Sequence, residues 1–141
     1  MDYIHSAHSV YMLTYHVVFV VKYRRKVITD AIGDDMKRYA ASLLETRNCR
    51  LISAETDKDH MHLLIATSPQ TAPSSIITIL KSRLSYMVKT RYANRVKRYL
   101  WGNAPFWSNS YFIATTGTTS IERVKQYIDS QRTNEHQIKR K

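Results

Sequence analysis

The hydrophobic pattern along the chain alternates between a period of two and a period near 3.6, and each change of period predicts an element. From Tyr11 to Tyr23 the run YMLTYHVVFVVKY is rich in β-branched and aromatic residues and predicts a long strand. Tyr11, Leu13, Tyr15, Val17, Phe19 and Val21 fall on one face of it, and Met12, Thr14, His16, Val18 and Val20 on the other. Apolar content on both faces suits a central strand. Ile28, Ile32, Met36, Tyr39 and Leu43 then recur at three- and four-residue spacing behind acidic residues, which predicts an amphipathic helix stopped near Asn48. CRLISAETDKDHMHLLIAT, residues 49–67, reads as a hairpin of two strands turning near Asp57 to Asp59.

The loop TSPQTAPSS leads to a second helix, with Ser74 or Ser75 as its cap and Ile76, Ile77, Leu80, Leu84, Met87 and Val88 as its apolar stripe. WGNAPFWSNSYFIATTG holds a turn and then a strand from about Trp107 to Thr116, ended by Gly117. In the last segment Thr119 is followed three residues later by Glu122, a capping-box spacing, and Ile121, Val124 and Ile128 give a helix its apolar edge. The ends, residues 1–10 and 133–141, lack a pattern and are expected to be flexible. The order β-α-β-β-α-β plus a C-terminal helix predicts an α+β, ferredoxin-like antiparallel sheet with its two main helices on one face. Neither repeats nor linkers interrupt it, so residues 1–141 read as a single domain.

Charge adds a partner class to this picture. Lys and Arg number 22 against 11 Asp and Glu, a formal charge of +11, and no acidic residue lies between His60 and Ile121. That acid-free span carries Lys81, Arg83, Lys89, Arg91, Arg95, Lys97 and Arg98, a one-signed set suited to phosphate contact. Trp101, Phe106 and Trp107 lie beside it as candidate base-stacking residues, with core packing the competing reading for the tryptophans. The single cysteine, Cys49, excludes an internal disulfide and a cysteine-based zinc site. With no apolar run near the roughly 20 residues of a membrane span and no signal-peptide pattern, a cytoplasmic protein is expected.

Two pairs of residues have spacings that chemistry can use. His60 and His62 are two apart on a predicted strand, so both imidazoles share a face, where they can hold a metal or simply be hydrogen-bonded. Tyr127 and Gln131 are four apart on a predicted helix and share one side of it, although an amphipathic helix also uses Tyr for packing. Spacing alone leaves both alternatives open.

Four stretches taken together narrow the choice: VVFVVKYRRKVI at 17–28, DHMHLL at 59–64, WSNSYFIATTG at 107–117 and YIDSQ at 127–131. In order, and over nearly the whole chain, they resemble the single-tyrosine HUH transposases, small enzymes that move bacterial insertion sequences as single-stranded DNA. The resemblance implies that His60 and His62, flanking Met61, and Gln131 are metal ligands and that Tyr127 on the C-terminal helix is the nucleophile. It also implies a 5′-phosphotyrosine intermediate, recognition of hairpins formed by imperfect palindromes, and a homodimer with its sites built in cis or in trans. Mg²⁺ or Mn²⁺ suits two imidazoles and oxygen ligands, with Zn²⁺ compatible by ligand type. The physical need for the ion is clear: a free Tyr has a pKa near 10, so only about one in a thousand is phenolate at neutral pH. Its phosphodiester target is anionic, and a divalent ion with neutral ligands keeps positive charge for that phosphate. Energy held in the phosphotyrosine removes the need for ATP, so no nucleotide cofactor is expected. Asp59 is a candidate acceptor for the Tyr proton. Two other readings compete: a host-retained relative acting on dispersed palindromes, and a non-catalytic ferredoxin-like module that binds single-stranded nucleic acid.

Overall fold

The computed structural model describes residues 4–5, 10–11, 13–116, 123 and 125–131. Two two-residue strands, β1 (Ile4–His5) and β2 (Val10–Tyr11), pair at the start, so Tyr11, expected to open the long central strand, pairs with Ile4 instead. The principal sheet follows from the long β-branched run, which gives β3 (Leu13–Val20), and from the hairpin of β4 (Arg50–Asp57) and β5 (His60–Thr67), closed by Lys58 and Asp59. With β6 (Phe112–Thr115) the order is β4-β5-β3-β6, every neighbouring pair antiparallel. This is the expected α+β arrangement. One extra residue, Ile52, bulges from β4 between the pairs Leu51–Ile65 and Ser53–Leu64.

Helix α1 (Asp30–Glu45) starts where Thr29 Oγ1 accepts a hydrogen bond from the Ile32 amide at 3.2 Å, and Asn48 takes the left-handed conformation after its end. Helix α2 (Pro73–Arg91) buries the whole predicted stripe. Its cap differs from expectation: the helix begins a residue before Ser74, because Pro73 occupies the first turn and needs no amide partner there. The chain breaks at Tyr92, whose hydroxyl donates to Asp35 Oδ2 on α1, and resumes as the short α3 (Ala93–Tyr99). That break was not legible in the hydrophobic pattern.

All three helices cover one face of the sheet, where Val17, Phe19, Met61, Leu63 and Ile65 meet Ile32, Met36, Leu44, Ile77, Leu80 and Leu84 in one core. Gly33 lets α1 come down onto β4, since a Cβ there would run into Thr56 Oγ1. Among the described residues the other face carries a small cluster, Val18, Val20 and Ile128, flanked by Phe112 and Tyr127. Ile128 comes from helix α4, residues 125–131. The predicted capping pair Thr119 and Glu122, the edge residues Ile121 and Val124, and most of both ends lie outside the described residues.

The last strand is shorter than expected. Trp107 makes an isolated bridge to Val21, flanked by the Ser108 amide donating to the Val20 carbonyl at 2.7 Å, and the strand pairing resumes only at Phe112; between them Lys81 Nζ donates to the carbonyls of Ser108 (2.9 Å) and Asn109 (3.4 Å). No helix among the described residues is long and apolar enough to cross a membrane.

Candidate active site

Residues opposite each other on neighbouring strands share a face. The pairs Val20–His60, Val18–His62, Glu55–His62 and Asp57–His60 therefore set both histidines on the thinly covered face, while Met61 between them points into the main core. They open into a cleft of about 410 Å³ whose walls include His16, Glu55, Asp57, His60 and His62, with Lys125 and Ile128 supplied by α4.

The two-residue turn fixes the first histidine. His60 Nδ1 lies 2.8 Å from Asp59 Oδ1, and because a carboxylate only accepts, Nδ1 carries the proton and Nε2 keeps a free lone pair. Asp59 is 5% exposed, and its second oxygen accepts from Arg24 Nε at 2.9 Å. Burial resists its ionisation, but the His60 and Arg24 bonds outweigh that and hold the carboxyl below the usual carboxylate range. Both of its oxygens are thus occupied, which leaves it poorly placed as the acceptor for a tyrosine proton.

His62 is handled differently. Its Nε2 shares a hydrogen bond of 2.9 Å with His16 Nδ1, and the two rings are 5.1 Å apart. Burial, and after it the neighbouring His16, push the His62 pKa down and favour the neutral ring. His16 was visible in the sequence as a residue of this face; what spacing could not give was the strand pairing that brings it to His62.

Arg24 is the site residue that sequence reasoning passed over. Its guanidinium binds Asp59, and Nη1 also reaches the Ile128 carbonyl at 3.4 Å and Asp129 Oδ1 at 3.6 Å on α4. It therefore joins the histidine turn to the last helix. Its placement depends on a left-handed pair, Tyr23 (φ 57°) and Arg24 (φ 50°), in the single 3-10 turn Lys22–Arg24 that ends the central strand. Non-glycine residues visit that region rarely, so nothing in KYRRK announces it.

Tyr127 and Gln131 come together with each other. Ser110 Oγ lies 3.0 Å from the Tyr127 hydroxyl and donates to Gln131 Oε1 at 2.8 Å, while Ser108 Oγ donates to the same oxygen at 3.2 Å. The Tyr127 ring tilts against Phe112 at 5.4 Å. This pair stands over the β6 side of the sheet, and α4 sends Lys125 and Ile128 toward the histidines. The histidine pair thus lies under the helix that carries the Tyr127–Gln131 pair, whose polar ends are bonded to Ser108 and Ser110.

As a metal site, the face offers the free Nε2 of His60, with its tautomer already set, and the neutral ring of His62 beside it. Among the described residues no group of three or more His, Cys, Asp or Glu side chains converges. The donor chemistry fits a divalent ion.

The basic residues divide in two. Lys81, Lys89 and Arg95 are tied to carbonyls, Lys89 to Ala104 at 2.8 Å and Arg95 to Val27 at 3.1 Å, and burial lowers the Lys81 pKa. Arg91 reaches Asp35 at 3.4 Å, and Arg83, Lys97 and Arg98 are exposed. Of the aromatic trio, Phe106 and Trp107 are core residues at 1% and 4% exposure, and Trp101 is 71% exposed.

Proteins of known structure share this architecture. A Deinococcus radiodurans R1 protein assigned as a candidate transposase superposes with a TM-score of 0.81 at 24% identity, over 91% of this chain and 97% of its own. A REP-associated tyrosine transposase bound to a REP hairpin superposes at 0.53 with 14% identity, over 89% and 69%. The fold is therefore one that these two proteins share. Sequence carries the assignment further. Residues 9–131 match the family Transposase IS200 like, and the chain belongs to it. It is 31% identical to the ISDra2 transposase TnpA of Deinococcus radiodurans over 89% of both chains. It is 30% identical to the transposase of insertion sequence IS200 from Salmonella typhimurium, over 89% of this chain and 80% of the relative.

Proposed function

We propose that this IS200-like transposase cuts and rejoins single-stranded DNA at insertion-sequence ends through a 5′-phosphotyrosine at Tyr127. One observation carries the reading: the helix bearing Tyr127 and Gln131 packs on the sheet face that holds His60 and His62, with Arg24 bonded to both sides. In the first step the Tyr127 oxygen bonds to phosphorus and the P–O3′ bond breaks, so a 3′-hydroxyl leaves with a proton. In the second, another 3′-hydroxyl attacks the phosphotyrosine, restores a phosphodiester and returns the proton to Tyr127.

His60, His62 and Gln131 would hold Mg²⁺ or Mn²⁺, which when bound supplies positive charge to the scissile phosphate. Asp59 keeps the His60 Nε2 lone pair outward, and His16 engages His62 until a ligand claims it. Ser110 steadies the Tyr127 hydroxyl. Because Gln131 is held by Ser108 and Ser110, the working site requires α4 to shift over its own sheet or to serve a second protomer. A homodimer accommodates either route. The substrate is a strand that folds into a hairpin, which is also what the REP-associated neighbour binds. Identity to element transposases favours a mobile element's own enzyme over a host-retained one.

The test uses single-stranded oligonucleotides copied from both strands of the DNA flanking the gene, with Mn²⁺ or Mg²⁺, resolved on a denaturing gel. A protein–DNA adduct is expected with wild type, absent with Tyr127→Phe and absent with EDTA. Hairpin binding without any adduct would replace this reading with that of a binding module. An adduct that survives EDTA would remove the metal from it.

A further inference from the structure

Trp101 is anomalous. A large apolar ring left 71% exposed loses the benefit of burial, while the other tryptophan, Trp107, is sealed at 4%. Around Trp101 lies a recess of about 300 Å³, separate from the histidine cleft, lined by Tyr23, Arg25, Tyr99, Leu100, Trp101 and Ala104. Its polar equipment is cationic. The Arg25 guanidinium stands 5.5 Å over the Trp101 ring, and that of Arg95 stands 4.7 Å over Tyr99. Arg25 Nε is buried and has no hydrogen-bond acceptor among the described residues. Across the same loop a second recess of about 260 Å³ is bordered by Lys89 and Lys97, and no carboxylate lines either one.

These features restrict the occupant. Flat aromatic walls call for a planar group, the Arg25 guanidinium at the rim calls for an acceptor oxygen or nitrogen, and the lysines call for an adjacent anion. A purely apolar ligand would leave these cationic groups unmatched, and a cation would be repelled. Paired bases are already stacked in a duplex and expose only their edges. An unpaired nucleotide meets every requirement: a π face, acceptors on its rim and a phosphate beside it.

We propose that this recess seats one unpaired base of the single-stranded DNA substrate, stacked on Trp101, with Arg25 donating to it and Lys97 neutralising a neighbouring phosphate. This deepens the transposase reading and rests on it. The seat is joined to the site through the Tyr23–Arg24 peptide: Tyr23 lines the recess, and the next residue holds the Asp59–His60 turn. Strand capture is thereby built next to the catalytic face.

The test places 5-iododeoxyuridine at successive single positions of the flanking oligonucleotide, irradiates the complex and maps the cross-linked peptides. A cross-link to Trp101, Tyr23 or Tyr99 from one position is expected. In parallel, fluorescence anisotropy should show Trp101→Ala binding single strands about 5- to 150-fold more weakly, from the known range for loss of one stacked base. Trp101→Phe should recover most of that loss, and binding of a fully paired duplex should not change. Equal single-strand affinity in Trp101→Ala, an equal loss on duplex, or cross-links confined to other peptides would overturn the proposal. Wild-type adduct formation on the same oligonucleotide reports on the transposase reading separately: an adduct with no base seat sinks only this inference, and neither adduct nor binding sinks both.

Discussion

On the helix-covered face of the sheet, Met61, Leu63 and Ile65 are sealed under α1 and α2; on the other, His60, His62 and Leu64 of the same strand look into a cleft roofed only by α4. Neighbouring residues thus live in different solvents, one close-packed and dry, the other half-open and charged. The first face fixes the backbone. The second can then carry imidazoles, carboxylates and a guanidinium, because the cost of assembling them is met by packing a few ångströms away. Stability and chemistry are separable on this strand residue by residue.

The separation can be tested from both sides. The largest effect belongs to the open face. His62→Ala should slow adduct formation by several kcal/mol of barrier, roughly 10³-fold or more, with the urea midpoint nearly unchanged; a matching loss of stability would break the comparison. His60→Ala should slow it as much but also lose some stability, because it strips a hydrogen bond from the buried Asp59. Next comes the covered face, where Leu63→Ala should cost about 2–5 kcal/mol in urea unfolding. Below its lowered unfolding transition that variant should form adduct at close to the wild-type rate.

Arg24 sits on the boundary, so it should register in both assays. Arg24→Ala leaves the buried Asp59 carboxylate without its cation and should cost about 1–3 kcal/mol of stability, while slowing adduct formation as well. A loss in one assay alone would assign it to one face. The smallest effect lies far from the cleft, at Asp35, whose bonds to Tyr92, then Arg38 and Arg91, hold its pKa below the usual carboxylate value. A depressed folded-state pKa gives stability that is present above the unfolded value, near pH 4, and is lost as pH falls through the folded one. Asp35→Asn should therefore be less stable than wild type at neutral pH, and the difference should shrink in urea titrations as the pH falls below the usual carboxylate range.

What the sequence disclosed follows the same division. Helix α2 has one buried side, so its six stripe residues were readable from period alone, and all six are buried. Alternation likewise set His60 and His62 on one face before any strand pairing was known. In α1 the buried residues are Ile32, Gly33, Met36, Ala40 and Leu44, while Tyr39 and Leu43 are only partly covered; Gly33 and Ala40 mark close approach without adding hydrophobic signal, so the buried side was displaced by one residue from the one the period suggested. The exit of the central strand, the break at Tyr92 and the role of Arg24 were hidden for another reason. Each depends on backbone conformations or partners distant in sequence, Tyr92 with Asp35 and Arg24 with Asp59 and α4, which no local pattern encodes. Tyr127 and Gln131 were legible as a pair, but their hold on Ser108 and Ser110 required knowing where the β6 approach would run.

The hairpin turn has a consequence for how such a protein can change over evolutionary time. With only Lys58 and Asp59 between the strands, the turn acts as a frame lock: one inserted codon there would slip β5 by a residue and exchange its faces, sending the imidazoles under the helices and Met61 and Leu63 into the cleft. At the far end of the same ladder, β4 already absorbs an additional residue as the Ile52 bulge, and the pairing from Ser53 to Asp57 keeps its alternation. An inserted residue is therefore expected to cost less stability at the open end of this hairpin than at its turn, which urea unfolding of the two insertion variants would measure.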